Sequence, residues 1–239
     1  MRTLVVVPTF NEILNIESML RTIREVVPET NILVVDDGSP DGTAERAEAL
    51  GAELGSIEVL RRARKSGLGG AYRAGFGWGL ERGFDHFVEI DCDFSHDPRV
   101  LPTLLEAAQN YDVVIGSRYI PGGKIPQWTL SRRLLSRGGN QYASLMLGLG
   151  VADSTSGYRV YSASALSKID FRSVHADGYG FQIEMTYRAK RGGASIVEVP
   201  ISFNDREFGE SKMSSAIVVE ALFLVTKWAL ERPFGVRPR

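Results

Sequence analysis

Two aspartates separated by one residue follow a short apolar run in the first half of the chain. Asp91 and Asp93 come after residues 87–90 (FVEI), where a buried strand would pass into a loop. In an extended segment, residues two positions apart project to the same side, with Cα atoms roughly 6–7 Å apart. Two carboxylates this close repel each other unless a positive charge lies between them. A hard divalent cation such as Mg²⁺ or Mn²⁺ supplies that charge and commonly shares its ligands with substrate phosphates.

A simpler interpretation is that these aspartates are loop acids, one of which caps the next helix. Asp97 stands directly before Pro98 and already suits that capping role. An Asp-x-Asp pair alone is a weak signal, because chance pairs are common. The metal interpretation is favoured by the position of this pair at the end of an apolar run.

The segments around the pair alternate between strand-like and helix-like patterns. β-branched, apolar runs predict strands at residues 3–7, 31–35, 57–60, 87–90 and 112–116. Helical patterns lie between them at residues 13–27, 43–50, 68–80 and 98–108. Ser39 before Pro40 suggests the start of the second of these helices, and Gly51 its end. Continuous apolar strands joined by helices predict an α/β fold, with a mostly parallel, Rossmann-like central sheet flanked by helices.

Polar residues cluster at the ends of three predicted strands. The clusters are residues 8–12 (PTFNE), 36–39 (DDGS) and 91–93 (DCD). Ligands of parallel α/β sheets bind beyond the carboxyl ends of the strands. We therefore expect the three clusters to form one site.

The glycines and basic residues are less specific. The chain has no G-x-x-x-x-G-K-[ST] phosphate loop, and the glycines of residues 67–79 are best explained by close packing of a helix on the sheet. Arg61, Arg62, Arg64 and Lys65 are interpreted as a solvated face. Arg118 follows a predicted strand end on the same edge as the acids. His96 lies near the acids and is expected at most to support them.

Composition restricts the classes of protein. The chain has 239 residues, a formal net charge of −1 and a single cysteine, Cys92. The near-zero charge argues against a nucleic-acid partner, and one cysteine excludes an internal disulfide. No run of 18 uncharged apolar residues predicts a membrane span, and the first predicted strand begins too early for a signal peptide. We therefore expect a cytoplasmic protein. The second half shows no linker, with helices predicted at 131–148 and 179–191 and a strand at 196–201.

Several segments, in order, resemble the polyprenol-phosphate (dolichol-phosphate) mannose synthases. They are VVVPTFNE, VVDDGSPDGT, DCDFSHDP, VIGSRYIPGG, SGYRVY and FGESKM. That family consists of inverting family 2 glycosyltransferases with the GT-A fold. The resemblance covers residues 4–228. The first motifs are shared across family 2, whereas GSRY, SGYR and GESKM together are more specific to polyprenol-phosphate glycosyl transfer. The resemblance implies one GT-A domain over residues 1–239, with a nucleotide-sugar half at about 1–120 and an acceptor half at about 121–239.

The resemblance also implies roles for individual residues. The guanine nucleoside would be held by Pro8, Phe10, Glu12, Val35 and Asp37. Asp91, Cys92 and Asp93 stand in the metal and diphosphate motif, and Ser95 occupies a further metal-associated position. Arg118 and Arg132 would face the acceptor phosphate, and Arg206 and Lys212 would lie over the donor diphosphate. The catalytic roles fall to Asp93 and Arg118. Cys92 replaces the family's alanine, and Phe10 replaces a common tyrosine but keeps a stacking face.

The implied reaction transfers mannose from GDP-mannose to a polyprenyl monophosphate, with Mg²⁺ or Mn²⁺ as cofactor. A family 2 transferase for another nucleotide sugar, such as UDP-glucose, is the alternative within enzymes. A non-catalytic nucleotide-sugar-binding module is disfavoured because Asp91, Asp93, Arg118 and Lys212 are all present.

The lipid acceptor requires contact with a membrane. Residues 216–230 form an apolar segment interrupted by Glu220 and Lys227, so it is too short and too charged to span comfortably. It predicts either an amphipathic helix in the membrane interface or a buried C-terminal core helix. We expect peripheral association with the cytoplasmic face of a membrane, with a membrane-anchoring partner protein as a further possibility.

Overall fold

A computed structural model describes residues 1–65, 67–205 and 215–231, with side chains of the last range from residue 219 onward. In these ranges the strands are β1 Thr3–Thr9, β2 Asn31–Asp36, β3 Ile57–Arg61, β4 His86–Glu89, β5 Val113–Ser117, β6 Arg159–Ser162 and β7 Ile196–Pro200. The helices are α1 Ile16–Val26, α2 Thr43–Leu54, α3 Gly67–Glu81, α4 Leu101–Ala107, α5 Leu130–Leu147, α6 Ala163–Ile169, α7 Gly178–Arg191 and α8 Ser215–Glu231.

The strands form one sheet in the order β3-β2-β1-β4-β6-β5-β7. β1 pairs in parallel with both β2 and β4, and β5 pairs in parallel with β7. β6 is antiparallel to β4 and to β5. The predicted α/β architecture with a mostly parallel sheet is confirmed. Because β2, β1 and β4 are neighbours, the three polar clusters that follow them share one edge of the sheet.

Helices cover both faces of the sheet, and alternate residues of β1 point to opposite faces. Leu4 and Val6 belong to a core cluster that includes residues of α3, α7 and α8. Val5 and Val7 belong to a second cluster, with residues of α1, α2 and α4. A Cβ atom at Gly75 would lie 2.5 Å from Val6 Cγ1, so only glycine allows α3 to lie this close to the sheet. The packing role predicted for the α3 glycines is confirmed.

Local differences from the predicted elements have simple causes. The helix predicted to stop at Gly51 continues through it to Leu54 and ends at Gly55. Its N-cap is Gly42, since Ser39 instead donates its hydroxyl to Asp36 Oδ2 at 2.6 Å. Asp97 caps the short helix after it, as predicted, by accepting from the Arg99 amide at 2.9 Å. The seven-residue helix α6 carried too little periodic pattern to be predicted.

The C-terminal helix α8 packs on the core with only one of its faces. Ala221, Val225 and Trp228 are buried, and the Trp228 ring stacks on Tyr187 of α7 with centroids 6.4 Å apart. Phe223 and Leu230 are 67% and 68% exposed on the other side. One face therefore packs on the core as the buried-helix alternative predicts, whereas a place in the membrane interface stays a prediction. None of the helices in the described ranges is long and apolar enough to cross a bilayer.

Candidate active site

Two adjacent pockets open at the carboxyl ends of the strands, and Asp91 and Asp93 line both of them. The β1 pocket, a cavity of about 390 Å³, is also lined by Pro8, Phe10, Glu12, Asp37 and Lys65. The β5 pocket, a cavity of about 360 Å³, is also lined by Ser95, Arg118, Trp128, Arg132, Gln182 and Asp205. The aspartate pair thus forms a wall shared by two cavities of ligand size.

The two aspartates are held by different donors. The hydroxyl of Tyr72, from α3, donates to Asp91 Oδ1 at 3.0 Å, and the Ser95 amide donates to Asp93 Oδ1 at 3.0 Å. The strand ends at Glu89, and Cys92 and Asp93 lie in a turn, so the extended geometry expected for the pair is wrong. The turn keeps both carboxylates on the same pocket walls, which is what the chemistry requires.

The residues present fit a divalent cation that shares its ligands with a substrate. Among the described residues, no group of three or more His, Cys, Asp and Glu side chains is arranged to hold a metal. Two carboxylates and the Ser95 hydroxyl are too few for a protein-only cage. They match Mg²⁺ or Mn²⁺, whose remaining ligands are commonly water and phosphate oxygens. The Ser95 hydroxyl also lies 3.4 Å from His96 Nδ1.

Two cations that were interpreted from the sequence as part of a solvated face lie beside residues of the β1 pocket, and one of them, Lys65, lines the pocket itself. Arg62 Nη1 lies 2.6 Å from Asp37 Oδ1, and Lys65 Nζ lies 4.3 Å from the centre of the Phe10 ring. That interpretation holds for Arg61, which pairs with Glu48 on the surface, but it is wrong for Arg62, whose side chain is only 18% exposed. Lys65 is exposed as predicted, and it also lines the pocket. Their position after β3, beside the end of β2, is the signal that could have identified them.

The other residues expected to hold a nucleoside differ in their access to the pocket. Glu12 Oε2 accepts from Asn15 Nδ2 at 2.8 Å, at the start of α1. Val35 is fully buried in β2, and its side chain lines neither pocket. Any contact of Val35 with a nucleotide would therefore involve its backbone.

Arg118 is buried in the wall of the β5 pocket and paired with an acid that the sequence analysis missed. Its Nε and Nη2 donate to Asp153 Oδ2 and Oδ1, both at 2.7 Å, and Nη2 also donates to Thr155 Oγ1 at 2.7 Å. Burial alone would raise the pKa of Asp153, but the Arg118 guanidinium outweighs burial and holds that pKa below its usual value. The pair is therefore fully charged and fixes the orientation of the guanidinium.

Arg132 reaches the same pocket from the first turn of α5. Its guanidinium lies 3.9 Å from the centre of the Trp128 ring, and Nη1 donates to Asp205 Oδ1 at 3.3 Å. Trp128 Nε1 donates to the same oxygen at 3.2 Å. A carboxylate thus contacts the cation that was assigned to an acceptor phosphate, so a phosphate at Arg132 must compete with Asp205.

His96 lies behind the acids as an uncharged ring. Burial lowers its pKa to about 4, and the ring packs on Tyr158 and Phe203 with centroids 5.3 Å and 5.2 Å away. Its place beside Ser95 agrees with the supporting role that was expected of it.

Arg206 and Lys212, assigned to the donor diphosphate, lie outside the described residues. Like Asp153, Gln182 and Asp205 were not predicted from the sequence, because these residues reach the β5 pocket only through the tertiary arrangement of the second half.

Comparison with known proteins identifies the family. The family model described as "Glycosyl transferase family 2" matches residues 4–170. The chain is a family 2 glycosyltransferase. This transferase is 52% identical to an undecaprenyl-phosphate mannosyltransferase of Micrococcus luteus, over 100% of this chain and 99% of the relative. It is 47% identical to a polyprenol monophosphomannose synthase of Mycolicibacterium smegmatis, over 98% of this chain and 91% of the relative.

A solved structure shows the same fold at low identity. A mannosyltransferase from Pyrobaculum calidifontis, in complex with GDP-Man and Mn²⁺, superposes with a TM-score of 0.60 at 18% identity. The alignment covers 98% of the family 2 transferase and 73% of that chain. The predicted GT-A fold is confirmed.

Cys92, the only cysteine, offers a test of the motif between the two aspartates. It is 2% exposed, and burial raises the pKa of its thiol, so the thiol stays protonated and uncharged. We expect Cys92→Ala to keep transfer within about tenfold of the wild-type rate, because this position contributes size and backbone. The measurement is steady-state transfer at saturating substrates. A loss beyond about a hundredfold, roughly 2.7 kcal/mol, would show that the sulfur participates.

Proposed function

We propose that this chain transfers mannose from GDP-mannose to a polyprenyl monophosphate with inversion, giving polyprenyl-phosphate mannose and GDP. The observation that carries the proposal is the wall of Asp91 and Asp93 between the two pockets. A nucleoside in the β1 pocket and a phosphate in the β5 pocket would place the sugar–diphosphate bond at that wall. The names of the relatives support the same reaction.

The leaving diphosphate gains negative charge as its bond to the sugar breaks. Asp91, Asp93 and Ser95 would hold Mg²⁺ or Mn²⁺, which when bound would supply positive charge to the diphosphate. Tyr72 and the Ser95 amide fix the two carboxylates before substrate arrives. Fixed groups lower the barrier because they need no reorganisation at the moment of reaction.

The acceptor phosphate would be held at the opposite side of the β5 pocket. Arg118, fixed by Asp153, and Arg132, stacked on Trp128, are the cations at that side. A guanidinium suits phosphate oxygens because its N–H groups form a planar fork. A phosphate monoester is already anionic at neutral pH, so the attack needs no strong general base. The uncharged, buried His96 is consistent with that chemistry.

The exposed faces of α5 and α8 provide a surface for the membrane that contains the acceptor. On α5, Leu134, Leu135 and Leu145 are 61%, 66% and 81% exposed, and the helix contains no acidic residue. α5 also contains Arg132, Arg133 and Arg137. The two helices pack together, with Tyr142 Oη 2.8 Å from Thr226 Oγ1.

Apolar side chains among arginines match an interface of acyl chains and anionic headgroups. We therefore propose that α5 and α8 dock on an anionic membrane surface. The membrane-anchoring partner protein, given as a possibility from the sequence, is not part of the proposal.

Membrane docking predicts a defined effect of charge on α5. We expect Leu134→Glu and Leu145→Glu each to lower partitioning onto phosphatidylglycerol-containing vesicles by about tenfold or more, since an exposed leucine that enters the interface contributes about 1.5–3 kcal/mol. Vesicle co-sedimentation measures this change. Tyr111→Glu is the matched control, because Tyr111 is 41% exposed and precedes β5, outside both α5 and α8. Equal losses for all three variants would contradict the docking surface.

The reaction itself is tested by transfer of labelled mannose from GDP-mannose to a polyprenyl phosphate, with and without Mg²⁺. Label in the lipid product only when the metal is present supports the proposal. Parallel titrations with GDP and UDP separate it from a transferase for UDP sugars. Tighter binding of UDP, with transfer from UDP-glucose, would identify UDP-glucose rather than GDP-mannose as the donor.

A further inference from the structure

The floor of the β5 pocket contains an amide with unused hydrogen-bonding capacity. Gln182, near the start of α7, is 2% exposed and lines this pocket. Its Nε2 donates to Glu89 Oε2 at 2.8 Å. Its Oε1 is buried and has no hydrogen-bond partner among the described residues. Buried polar atoms are almost always hydrogen-bonded, so an unpaired one indicates a missing ligand or water.

The Gln182 residue is fixed from two directions. Its backbone oxygen accepts from Arg159 Nη1 at 3.0 Å and from Thr186 Oγ1 at 2.8 Å. Glu89, on the central strand β4, holds the side-chain amide. A side chain held this way keeps one orientation, which is the condition for precise recognition of a substrate.

A glycine leaves space beside this amide. A Cβ atom added to Gly157 would lie 3.7 Å from Gln182 Nε2 and also 3.7 Å from Asp91 Oδ2. The space above Gly157 is therefore bordered by the amide and by one acid of the shared wall. In the proposed reaction the sugar lies between a diphosphate at this wall and a phosphate at Arg118. Gly157 lines the β5 pocket together with Asp91 and Arg118, so this space is part of the cavity that contains both groups.

We propose that Gln182 binds a hydroxyl group of the donor hexose and helps to determine which sugar is transferred. An amide suits a hydroxyl because its N–H donates and its oxygen accepts, while the hydroxyl can do both. A site built to bond a substrate hydroxyl strongly rejects an analogue that lacks it. The inference rests on the proposed function only in requiring a nucleotide-sugar donor.

The test replaces Gln182 with an isosteric apolar residue. Gln182→Met is expected to lower kcat/KM for GDP-mannose by about a hundredfold while GDP affinity changes by less than twofold, because GDP lacks the mannose. A set of GDP-mannose analogues, each lacking one sugar hydroxyl, then identifies the contact. One analogue should be about a hundredfold poorer for the wild type, and Gln182→Met should not distinguish it from GDP-mannose.

Two further variants separate recognition from structural damage. Met185→Ala removes a buried core side chain from the same helix, and it should lower the melting temperature yet preserve discrimination among the analogues. Gly157→Ala keeps Gln182 but adds a methyl group to the space, and it should impair use of GDP-mannose without weakening GDP binding.

The inference is overturned if Gln182→Met weakens GDP and GDP-mannose alike, or if the variant discriminates the analogues as the wild type does. If instead the proposed function is wrong, the wild-type protein itself would use another nucleotide sugar. The same series of deoxy analogues, made from that donor, would still decide the role of Gln182.

Discussion

Asp93→Asn is expected to reduce transfer by at least about a thousandfold, roughly 4 kcal/mol of transition-state stabilisation. Asparagine keeps the shape of the side chain and an oxygen for the Ser95 amide, which donates to Asp93 at 3.0 Å. It removes the negative charge that would attract a divalent cation to the shared wall. The fold should therefore persist while the leaving diphosphate loses its main source of charge stabilisation.

The measurement is initial rate against metal concentration, with circular dichroism as a check on folding. Asp97→Asn is the matched control, because Asp97 caps a short helix and lines neither pocket. We expect it to retain transfer and to lose about 1 kcal/mol of stability or less. Near wild-type turnover by Asp93→Asn at saturating metal would remove Asp93 from the mechanism.

Asp153→Ala is expected to lower the free energy of unfolding by about 3–5 kcal/mol, because it leaves the buried Arg118 without its counter-charge. The side chains of Arg118 and Asp153 are only 3% and 0% exposed, so water does not compensate for the loss. Urea unfolding measures the effect. Glu48→Ala, which removes an exposed partner of Arg61, should cost less than about 1 kcal/mol.

A double variant then separates stability from function. Arg118→Leu combined with Asp153→Leu removes both charges and should recover much of the stability lost in Asp153→Ala. It should still transfer poorly, because the acceptor phosphate lacks its fixed guanidinium, while GDP affinity stays near the wild-type value. Full transfer by the double variant would show that the pair is structural only.

The site residues that directly follow the ends of parallel strands were predictable from the sequence. Those that reach the site from elsewhere in the chain were not. Asp37, Asp91 and Asp93 were identifiable because the ends of neighbouring parallel strands share one edge of a sheet. Asp153 and Gln182 follow no such rule. They reach the β5 pocket because β6 enters the sheet in the antiparallel direction and α7 packs behind it.

Local errors in the predicted elements show where tertiary packing overrides sequence signals. Glycine ends many helices, yet α2 passes through Gly51. At this residue the helix backbone packs directly on β3, and a Cβ placed at Gly51 would lie only 2.7 Å from Ile57 O. Val35 was assigned to the nucleoside with its neighbours. Its side chain is buried in the core, so a contact through its backbone stays a prediction. The division into halves at about residue 120 stays a prediction.

The position of β6 also has a consequence for biosynthesis. β6 comprises Arg159–Ser162 and lies between β4 and β5, which are made much earlier. Until β6 leaves the ribosome, β4 presents an unpaired edge, and β5 lacks both of its sheet neighbours. Unpaired strand edges favour aggregation during folding. A nascent chain stalled before residue 159 should therefore need chaperone protection, whereas one stalled well after residue 200 can close its sheet.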